Sequence, residues 1–368
     1  MGPLEPIILA LETSCDETSA AVVAGGVKVL SNVVSSQVQD HVKFGGVVPE
    51  VASRRHLEAL CGVVDEALAR AGTAFGDIDA VAVTYGPGLV GALLVGVSAA
   101  KAYAFGLGVP LIGVNHIEGH IYANFLVYPD IGFPLLCLVV SGGHTDLVLM
   151  EGHGRFEVVG RTRDDAAGEA FDKAARAMGL GYPGGPAVER LAARGKGGAC
   201  ALPRAYLEED SYDFSFSGLK TALLQQLRRL WPSGGQALPS GGPAPGGGTA
   251  ALADLAAAFQ EAVVDVLADK TAAAARRYGV QNVLLAGGVA ANRALRQKME
   301  EKLAAEGRRL FVPPPELCTD NAAMVACAAH YRYLRGEMAP LTLNAVPDLK
   351  LGEERYEGNF RRPFIARM

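Results

Sequence analysis

The sequence lacks closely spaced cysteines. Its six cysteines are scattered along 368 residues, and none of them forms a Cys-x-x-Cys pair. This spacing excludes a zinc ribbon and gives no sign of a disulfide framework. We expect reduced and mostly buried thiols.

The sequence also lacks an excess of basic residues. Lys and Arg number 34 against 39 Asp and Glu, so the formal net charge is −5. This balance excludes a nucleic-acid binder with a globally basic surface, and any such contact must use local patches. The candidate patches, each of which is equally well explained as an ordinary solvated face, contain Arg54, Arg55, Arg190, Arg194, Lys196, Arg355, Arg361 and Arg362.

Signals for a membrane are missing as well. The first six residues contain neither the basic segment nor the apolar segment of a signal peptide, and Pro6 stands where a myristoylation motif needs Ser or Thr. Residues 88–109 are nearly all apolar or small, but Lys101 interrupts them and the uncharged part is too short to span a bilayer. We therefore expect a cytoplasmic protein without membrane contact, in which 88–109 form a buried helix.

Half of the residues are hydrophobic, which is enough for two domains or one large α/β unit. Short apolar runs alternate with longer helical patterns, and this alternation predicts α/β layers. A second α/β unit is predicted to begin at 135–140. The predicted strands are 7–11, 80–84, 111–114, 135–140, 145–150 and 283–286, and the predicted helices are 49–71, 89–105, 217–230 and 252–278.

The openings of the two units resemble one another. In both units an apolar strand is followed by a small polar turn and a second apolar strand. These segments are 8–14 and 19–23 in the first unit, and 136–143 and 145–150 in the second. Such a duplicated hairpin resembles the two phosphate-gripping hairpins of the actin, Hsp70 and sugar-kinase superfamily. Two ordinary hairpins remain the alternative at this point.

The stretch 232–250 consists mainly of Gly, Pro, Ser and Ala. It contains almost nothing that can pack, so it is predicted to be a flexible surface loop. It separates two predicted helices of the second unit and is therefore an excursion within that unit, not a domain linker.

His116 and His120 are four residues apart, and on a helix both imidazoles would project from one face and could hold a metal ion. A zinc protease would read His-Glu-x-x-His, whereas Ile117 follows the first histidine here and Glu118 lies in the middle. The pair alone is equally compatible with two half-exposed histidines on a surface helix.

Several turns and carboxylates together favour a nucleotide cleft. Residues 287–289 form a glycine turn between a strand and a helical run, and 141–143 form a similar turn. Glu169 and Asp172 are three residues apart, so on a helix they share a face, and 181–186 form a rigid Gly/Pro turn. Each feature alone is weak, but their combination favours a nucleotide site.

Asp320 precedes a predicted C-terminal helix. It could be an N-cap, which spacing alone favours, or the carboxylate that completes a metal site with the two histidines. A set of two histidines and one carboxylate binds iron or zinc and leaves positions open for substrate.

Eight motifs occur in one order along the chain, and together they resemble the TsaD family of bacterial tRNA N6-adenosine threonylcarbamoyltransferases. The resemblance covers about residues 8–329. The motifs are 12–18 (ETSCDET), 87–89 (PGL), 116–120 (HIEGH), 140–145 (VSGGHT), 165–173 (DAAGEAFDK), 214–220 (FSFSGLK), 287–292 (GGVAAN) and 319–323 (TDNAA).

The resemblance implies an α/β, two-lobed, actin-like fold (the ASKHA, or Hsp70 and sugar-kinase-like, fold) with a duplicated core. Its N-terminal lobe would span 7–130, completed by a helix at about 319–336, and its C-terminal lobe would span 131–318 with the loop 232–250. In the family's positions, the metal ligands are His116, His120 and Asp320. The residues that would hold the adenylate are Val139, Val140, Ser141, Gly142, Gly143, Asp172, Gly185 and Asn292, and the acidic residue near the reacting centre is Asp16.

The implied reaction is transfer of the threonylcarbamoyl group from threonylcarbamoyl-AMP to N6 of the adenosine 3′ of the anticodon, in tRNAs that read ANN codons, with release of AMP. One divalent metal ion per chain is implied, with iron as the first expectation and zinc or magnesium as alternatives. Archaeal and eukaryotic relatives carry a metal-reaching tyrosine before Val-Ser-Gly-Gly, but Val139 here has no donor atom. Substrate or water is then expected to supply the fourth ligand.

The implied partners are tRNA, threonylcarbamoyl-AMP, a paralogous actin-like subunit (TsaB) and a small ATPase (TsaE), and we expect weak activity from the chain alone. Three alternatives to this function are an ATP-dependent kinase or carbamoyltransferase of the same superfold, a metalloprotease, and a non-catalytic partner protein that keeps the fold. The intact motifs argue against the last of these.

Overall fold

The structure is a computed structural model that describes residues 5–208, 211–230 and 248–353. Within these residues, two five-stranded sheets account for all ten named strands. These are β1 (Ile7–Glu12), β2 (Glu17–Ala24), β3 (Lys28–Ser36), β4 (Ala80–Gly86), β5 (Leu111–Asn115), β6 (Leu135–Val140), β7 (Thr145–Gly152), β8 (Arg155–Arg161), β9 (Asn282–Ala286) and β10 (Arg309–Phe311).

Eleven helices lie in the same described residues, together with short 3-10 turns at 75–77, 197–199 and 288–291. They are α1 (Val38–Val42), α2 (Pro49–Ala71), α3 (Val90–Leu107), α4 (His116–Tyr122), α5 (Ala167–Ala177), α6 (Gly184–Ala192), α7 (Ser217–Leu230), α8 (Gly248–Arg277), α9 (Arg293–Ala304), α10 (Pro315–Cys318) and α11 (Ala322–Arg335).

The two sheets share one strand arrangement. The first has the order β3-β2-β1-β4-β5 and the second has the order β8-β7-β6-β9-β10 when it is read from β8. In each sheet the three strands at one end form an antiparallel meander, and the two strands at the other end run parallel to the central strand. This correspondence agrees with the predicted duplication.

The chain packs in five layers. Helices α2 and α3 cover the outer face of the first sheet, and α5 to α9 cover the outer face of the second. Helices α4 and α11 lie between the two sheets, where their apolar residues join β1 and β5 on one side to β6 and β9 on the other. Strands such as β1 and β6 are therefore buried on both faces, which explains their continuous apolar sequences.

Helix α11 is distant in sequence from the first sheet but packs against β1, β2 and α4. The division into an N-terminal lobe at 7–130 with this helix and a C-terminal lobe at 131–318 stays a prediction. The loop predicted at 232–250 lies outside the described residues except for 248–250, which begin α8, so the predicted loop extends too far.

Helix α3 is less buried than expected for residues 88–109. Its length and apolar composition would allow it to cross a membrane, and 33% of it is buried inside the fold. Small residues on one face contact the sheet, whereas Val90, Leu94 and Phe105 on the other face are exposed. The expectation of a buried helix therefore holds only for the small-residue face, and the opposite face is uncovered.

Candidate metal centre and substrate cleft

Helix α4 begins at once after β5, and this junction presents the two histidines. The Asn115 side chain caps the helix by accepting hydrogen bonds from the backbone N–H groups of Ile117 at 2.9 Å and Glu118 at 3.4 Å. One helical turn separates His116 from His120, and their ring centroids are 4.6 Å apart. Both histidines are buried, so the alternative of half-exposed residues on a surface helix is wrong.

Asp320 meets both imidazoles from the segment before α11. Its Oδ1 lies 3.2 Å from Nε2 of His120 and 3.6 Å from Nε2 of His116. The cap of α11 is Asn321, whose side chain accepts a hydrogen bond from the Met324 N–H at 3.1 Å. Asp320 is therefore not the N-cap, and its carboxylate is free to face the histidines.

The three side chains fit a metal ion. One ligand atom from each lies within 4.8 Å of the others. Both ring nitrogens of His120 are buried and hydrogen-bond to no described residue, although Nε2 lies close to Asp320. A buried imidazole without a hydrogen bond, next to a carboxylate and a second imidazole, is the arrangement that a cation completes.

A fourth residue supports this centre from behind. Glu12, at the end of β1, is fully buried, and its Oε2 lies 3.2 Å from Nδ1 of His116, on the ring nitrogen that faces away from Asp320. The carboxylate is itself held by the Thr84 hydroxyl at 2.6 Å and the Ser14 N–H at 2.6 Å. A carboxylate behind a ligating histidine fixes its tautomer and orientation.

Glu12 lies in the motif 12–18 but was not predicted as a site residue. The available signal was a lone carboxylate at the end of an otherwise apolar central strand, a position that points into the cleft of an α/β fold. Its partner His116 is 104 residues away in sequence, so their contact follows only from the fold.

Charge is concentrated at this centre. Burial lowers the pKa of His116, but Asp320 and then Glu12 raise it more strongly, to about 9. Burial raises the pKa of Asp320, but His116 and His120 lower it to about 2. In the absence of a metal ion, the centre is therefore an imidazolium held between carboxylates, and a metal ion would replace the proton.

Glu118 lies on a different side of α4 from the metal centre. It is fully buried, and its Oε2 accepts hydrogen bonds from Nε and Nη2 of Arg332, which lies on α11, at 2.8 and 2.5 Å. A protease would need this helix to present a carboxylate to a metal-bound water. Glu118 is instead committed to an ion pair, which argues against the metalloprotease alternative.

Asp16 lies in the turn between β1 and β2 and is almost fully buried. Its backbone carbonyl accepts a hydrogen bond from the Gln37 N–H at 3.0 Å. Burial first, and then Asp16 and Asp172, raise the pKa of Tyr182, so the Tyr182 side chain lies close enough to both carboxylates to interact with them.

The neighbouring Glu17 was not predicted as a site residue. Burial first, and then Asp320 and Asp16, raise its pKa to about 9. A carboxyl group with so large a shift, beside a cleft, is a candidate functional residue.

The turn Ser141–Gly143 joins β6 to β7 and lies against the start of α5. The Gly168 N–H donates to the Ser141 carbonyl at 3.2 Å. A Cβ on Gly168 would lie 2.5 Å from that carbonyl oxygen, so this approach requires glycine. Gly142 and Gly143 are exposed, and a Cβ on either would meet no atom within 4 Å, so this turn borders open space.

Asp172 and Gly185 lie together at the next turn. The Gly184 N–H donates to Oδ1 of Asp172 at 2.7 Å, which ties the start of α6 to α5. Gly185 follows, and a Cβ there would meet no atom within 4 Å. Gly185 is half-buried and borders open space, as a ligand site requires.

Three other predicted residues are already engaged. The Val139 and Val140 side chains are fully buried in the core, so their backbone alone is available to a ligand. Asn292 caps α9 by accepting from the Leu295 N–H at 3.0 Å, and its Nδ2 donates to Gln260 at 2.9 Å.

The predicted basic patches differ in position and in how far their charges are compensated. Arg55 pairs with Asp40 at 2.9 Å and with Glu58 at 2.8 Å, so its charge is largely compensated. Arg190 and Arg194 lie at the end of α6 and just beyond it. Residues 355, 361 and 362 lie outside the described residues.

The fold and site define an α/β protein of two similar sheets, with two histidines and one carboxylate between them that could hold a metal ion. Two HypF structures share this fold, at TM-scores of 0.59 and 0.61 and 16% identity, over 91% of this chain and about half of HypF (47% and 49%). The second of these is HypF of T. kodakarensis.

A family model described as TsaD: tRNA N6-adenosine threonylcarbamoyltransferase matches residues 28–327. Among curated proteins of that name, the one from Symbiobacterium thermophilum is 61% identical over 95% of this chain and 98% of its own length. The one from Moorella thermoacetica is 56% identical over 94% and 98%, respectively. The chain therefore belongs to the TsaD family, and the resemblance is confirmed.

Proposed function

We propose that the chain is an acyltransferase that moves the threonylcarbamoyl group from threonylcarbamoyl-AMP to N6 of the adenosine 3′ of the anticodon, in tRNAs that read ANN codons. The C–N bond forms as the bond from the carbamoyl carbon to the phosphate oxygen breaks, and AMP leaves. The observation that carries the proposal is the convergence of His116, His120 and Asp320 beside the glycine turn in a chain of this family.

The residues at the centre suit a transition metal. Two imidazoles and one carboxylate match iron or zinc, whereas magnesium prefers oxygen ligands only. Iron is our first assignment, and zinc is the alternative. When bound, such an ion supplies a Lewis acid for the carbonyl of the transferred group. Glu12 and Asp320 keep the imidazole of His116 oriented for this task.

The cleft residues have separate tasks. The backbone N–H groups of Gly142 and Gly143 and the open face at Gly185 would bind the adenylate, with Asp172 holding the turn that carries Gly185. Asp16 is our assignment for the carboxylate that takes the proton from the attacking amine, which is supported by its position opposite Tyr182 and Asp172.

The finer fold class is also a proposal. The matching order of the two sheets and the likeness to HypF support an actin-like fold with two lobes, 7–130 with the helix at 319–336 and 131–318. The adenylate cleft would then lie between the lobes.

Partners follow from the same assignment. We propose that a paralogous actin-like subunit (TsaB) and a small ATPase (TsaE) assist this chain, and that it works in the cytoplasm, where its tRNA substrate is. The exposed apolar residues on the outer face of α3, which include Val90, Leu94 and Phe105, support a protein partner better than a membrane, because Lys101 interrupts the helix and hydrogen-bonds to the Leu343 carbonyl.

The decisive experiment combines the purified chain with iron, unmodified tRNA, threonylcarbamoyl-AMP and the candidate partners, followed by mass spectrometry of the tRNA nucleosides. Threonylcarbamoyladenosine should appear, and His116→Ala and Asp16→Asn should each reduce it by about 100-fold or more, the scale of losing a main catalytic group. His153→Gln, a substitution away from the metal centre, is the matched control and should retain activity. No product in any combination would refute the assignment.

A further inference from the structure

A small pocket opens beside the metal centre. It has a volume of about 330 Å³, at the lower end of the range of about 300–1,000 Å³ for small-molecule sites. Ile117 and His144 border it, and residues 347–351 form its outer wall. His144 interacts electrostatically with His116, His120 and Asp320, so the pocket begins next to the metal ligands.

The strand order shows which part of the donor can reach this pocket. In the second sheet β6 lies between β9 and β7, so the turn that follows β9 and carries Asn292 lies on one side of the Ser141–Gly143 turn. The start of β7 and the end of β8 lie on the other side, and there Asp146 and Arg161 are paired across the strands. When the adenylate lies on the β9 side and the carbamoyl carbonyl lies at the metal, the threonyl unit attached to that carbonyl extends toward β7 and β8.

The pocket carries balanced charge. Arg161 and Lys350 face Asp146 and Asp348 around it, and Val158, Leu349 and Leu351 supply apolar wall. A nucleic-acid backbone, with one negative charge per nucleotide, would be repelled by two carboxylates. A small group with one carboxylate, one hydroxyl and one methyl matches this lining, and these are the groups of a threonyl unit whose nitrogen is acylated.

Two of these side chains are available to a ligand. Among the described residues, the guanidinium of Arg161 makes no hydrogen bond or contact ion pair. The backbone N–H of Arg161, in contrast, donates a hydrogen bond to Oδ1 of Asp213. Lys350, in contrast, lies 3.6 Å from Glu353. The Asp146 carboxylate likewise makes no hydrogen bond or contact ion pair with the described residues, and burial raises its pKa to about 6 although nearby Arg161 lowers it.

We propose that this pocket binds the amino-acid part of the donor, with Arg161 contacting the threonyl carboxylate and Asp146 the threonyl hydroxyl. This proposal rests on the proposed function and adds the residues that select threonine. We assign both as specificity-determining residues, because in this proposal they contact the threonyl unit and neither holds the metal ion or the adenylate.

The test uses a non-transferable analogue in which a sulfamate replaces the phosphate of threonylcarbamoyl-AMP, and a second analogue whose threonyl carboxylate is a carboxamide. The wild-type chain should bind the carboxylate form about 10- to 100-fold more tightly, as expected for a charge-assisted hydrogen bond. Arg161→Ala should reduce this preference to less than about threefold and leave the Kd of AMP unchanged. Arg155→Ala, at the other end of β8, is the matched control and should behave as wild type.

Asp146 is tested in the same way with an analogue that lacks the threonyl hydroxyl. The wild type should prefer the hydroxyl form by about tenfold, the scale of one hydrogen bond, and Asp146→Ala should lose that preference. Thermal unfolding of each variant checks that the fold is intact.

The two proposals fail differently. If the wild type modifies tRNA but Arg161→Ala keeps the full carboxylate preference, the pocket assignment is wrong and the function stands. If Arg161→Ala instead raises the KM for tRNA alone, the pocket belongs to the acceptor, and the proposal is again overturned. If the wild type neither binds the analogues nor modifies tRNA, the function itself is wrong.

Discussion

Glu12 and Asp320 approach His116 from opposite ring nitrogens: Oε2 of Glu12 lies 3.2 Å from Nδ1, and Oδ1 of Asp320 lies 3.6 Å from Nε2. Only Asp320 can share a metal ion with the histidines, because Glu12 is on the far side of the ring. Glu12 would therefore act on a bound metal ion through His116, and it connects the end of the central strand β1 to this centre.

This relationship predicts that Glu12→Gln weakens metal binding while the ligands themselves remain. The amide keeps the size of the side chain but loses the charge that orients and polarises the imidazole, and the affinity should fall by about 10- to 100-fold. Competition with a chromophoric chelator measures it. Thr84→Val, which removes one hydrogen bond to Glu12 but not its charge, should have a smaller effect; an unchanged affinity in Glu12→Gln would contradict this role.

The charges at the centre predict a pH-dependent response to metal. In the metal-free protein the pKa of His116 is raised from 6.5 to about 9, so its stabilising contribution is full below pH 6.5 and is lost as the pH rises to about 9. The pKa of Asp320 is lowered from 3.8 to about 2, so its contribution is present above pH 3.8 and is lost as the pH falls through about 2. A metal ion must displace the proton of His116.

The increase in Tm on adding zinc should therefore grow between pH 6 and pH 8, because the concentration of protons that compete with the metal ion for His116 falls as the pH rises. Scanning calorimetry with and without zinc measures it. His116→Ala removes the competition and should flatten the pH dependence as well as reduce the increase. An increment that shrinks toward pH 8 in the wild type would contradict the proposed proton displacement.

Much of the fold was predictable because local signals and burial agree. Helix α2 begins with Pro49 at its first position, and Gly72, in the left-handed region, caps it after Ala71. Its predicted bounds of 49–71 are confirmed. The central strands β1 and β6 are apolar throughout because both faces are covered. Strands β3 and β8 were not predicted, since each lies at a sheet edge with mixed burial and takes its register from its neighbour.

The sequence motifs of the site could be recognised, but the contacts between residues of different motifs could not be predicted. Whether Asp320 is a cap or a ligand depends on Asn321, which takes the cap, and a sequence pattern cannot distinguish two adjacent capping residues. Glu12 and Glu17 acquire their roles from charges that approach only in the folded chain. Spacing on one helix predicted that His116 and His120 lie side by side, but the other motifs were needed to favour a metal site over two surface histidines.

The buried ion pair between Glu118 and Arg332 joins α4 to α11, the two elements that carry or adjoin the metal ligands. Glu118→Ala would leave Arg332 buried with an incompletely compensated charge, so the free energy of unfolding should fall by about 3–5 kcal/mol. Urea denaturation measures it. The matched control is Glu58→Ala, which removes an exposed partner of Arg55 and should cost at most about 1 kcal/mol. Equal losses in the two variants would refute the special role of the buried pair.

Gly184 and Gly185 are adjacent but should respond differently to alanine. A Cβ on Gly184 would lie 2.5 Å from Cα of Asp172, so Gly184→Ala should lower the free energy of unfolding by about 1–3 kcal/mol. A Cβ on Gly185 would meet no atom within 4 Å, so Gly185→Ala should leave stability within about 0.5 kcal/mol. The added methyl group would instead occupy the space proposed for the adenylate. Calorimetric titration with AMP should therefore give weaker binding for Gly185→Ala, and wild-type binding would remove Gly185 from the adenylate site.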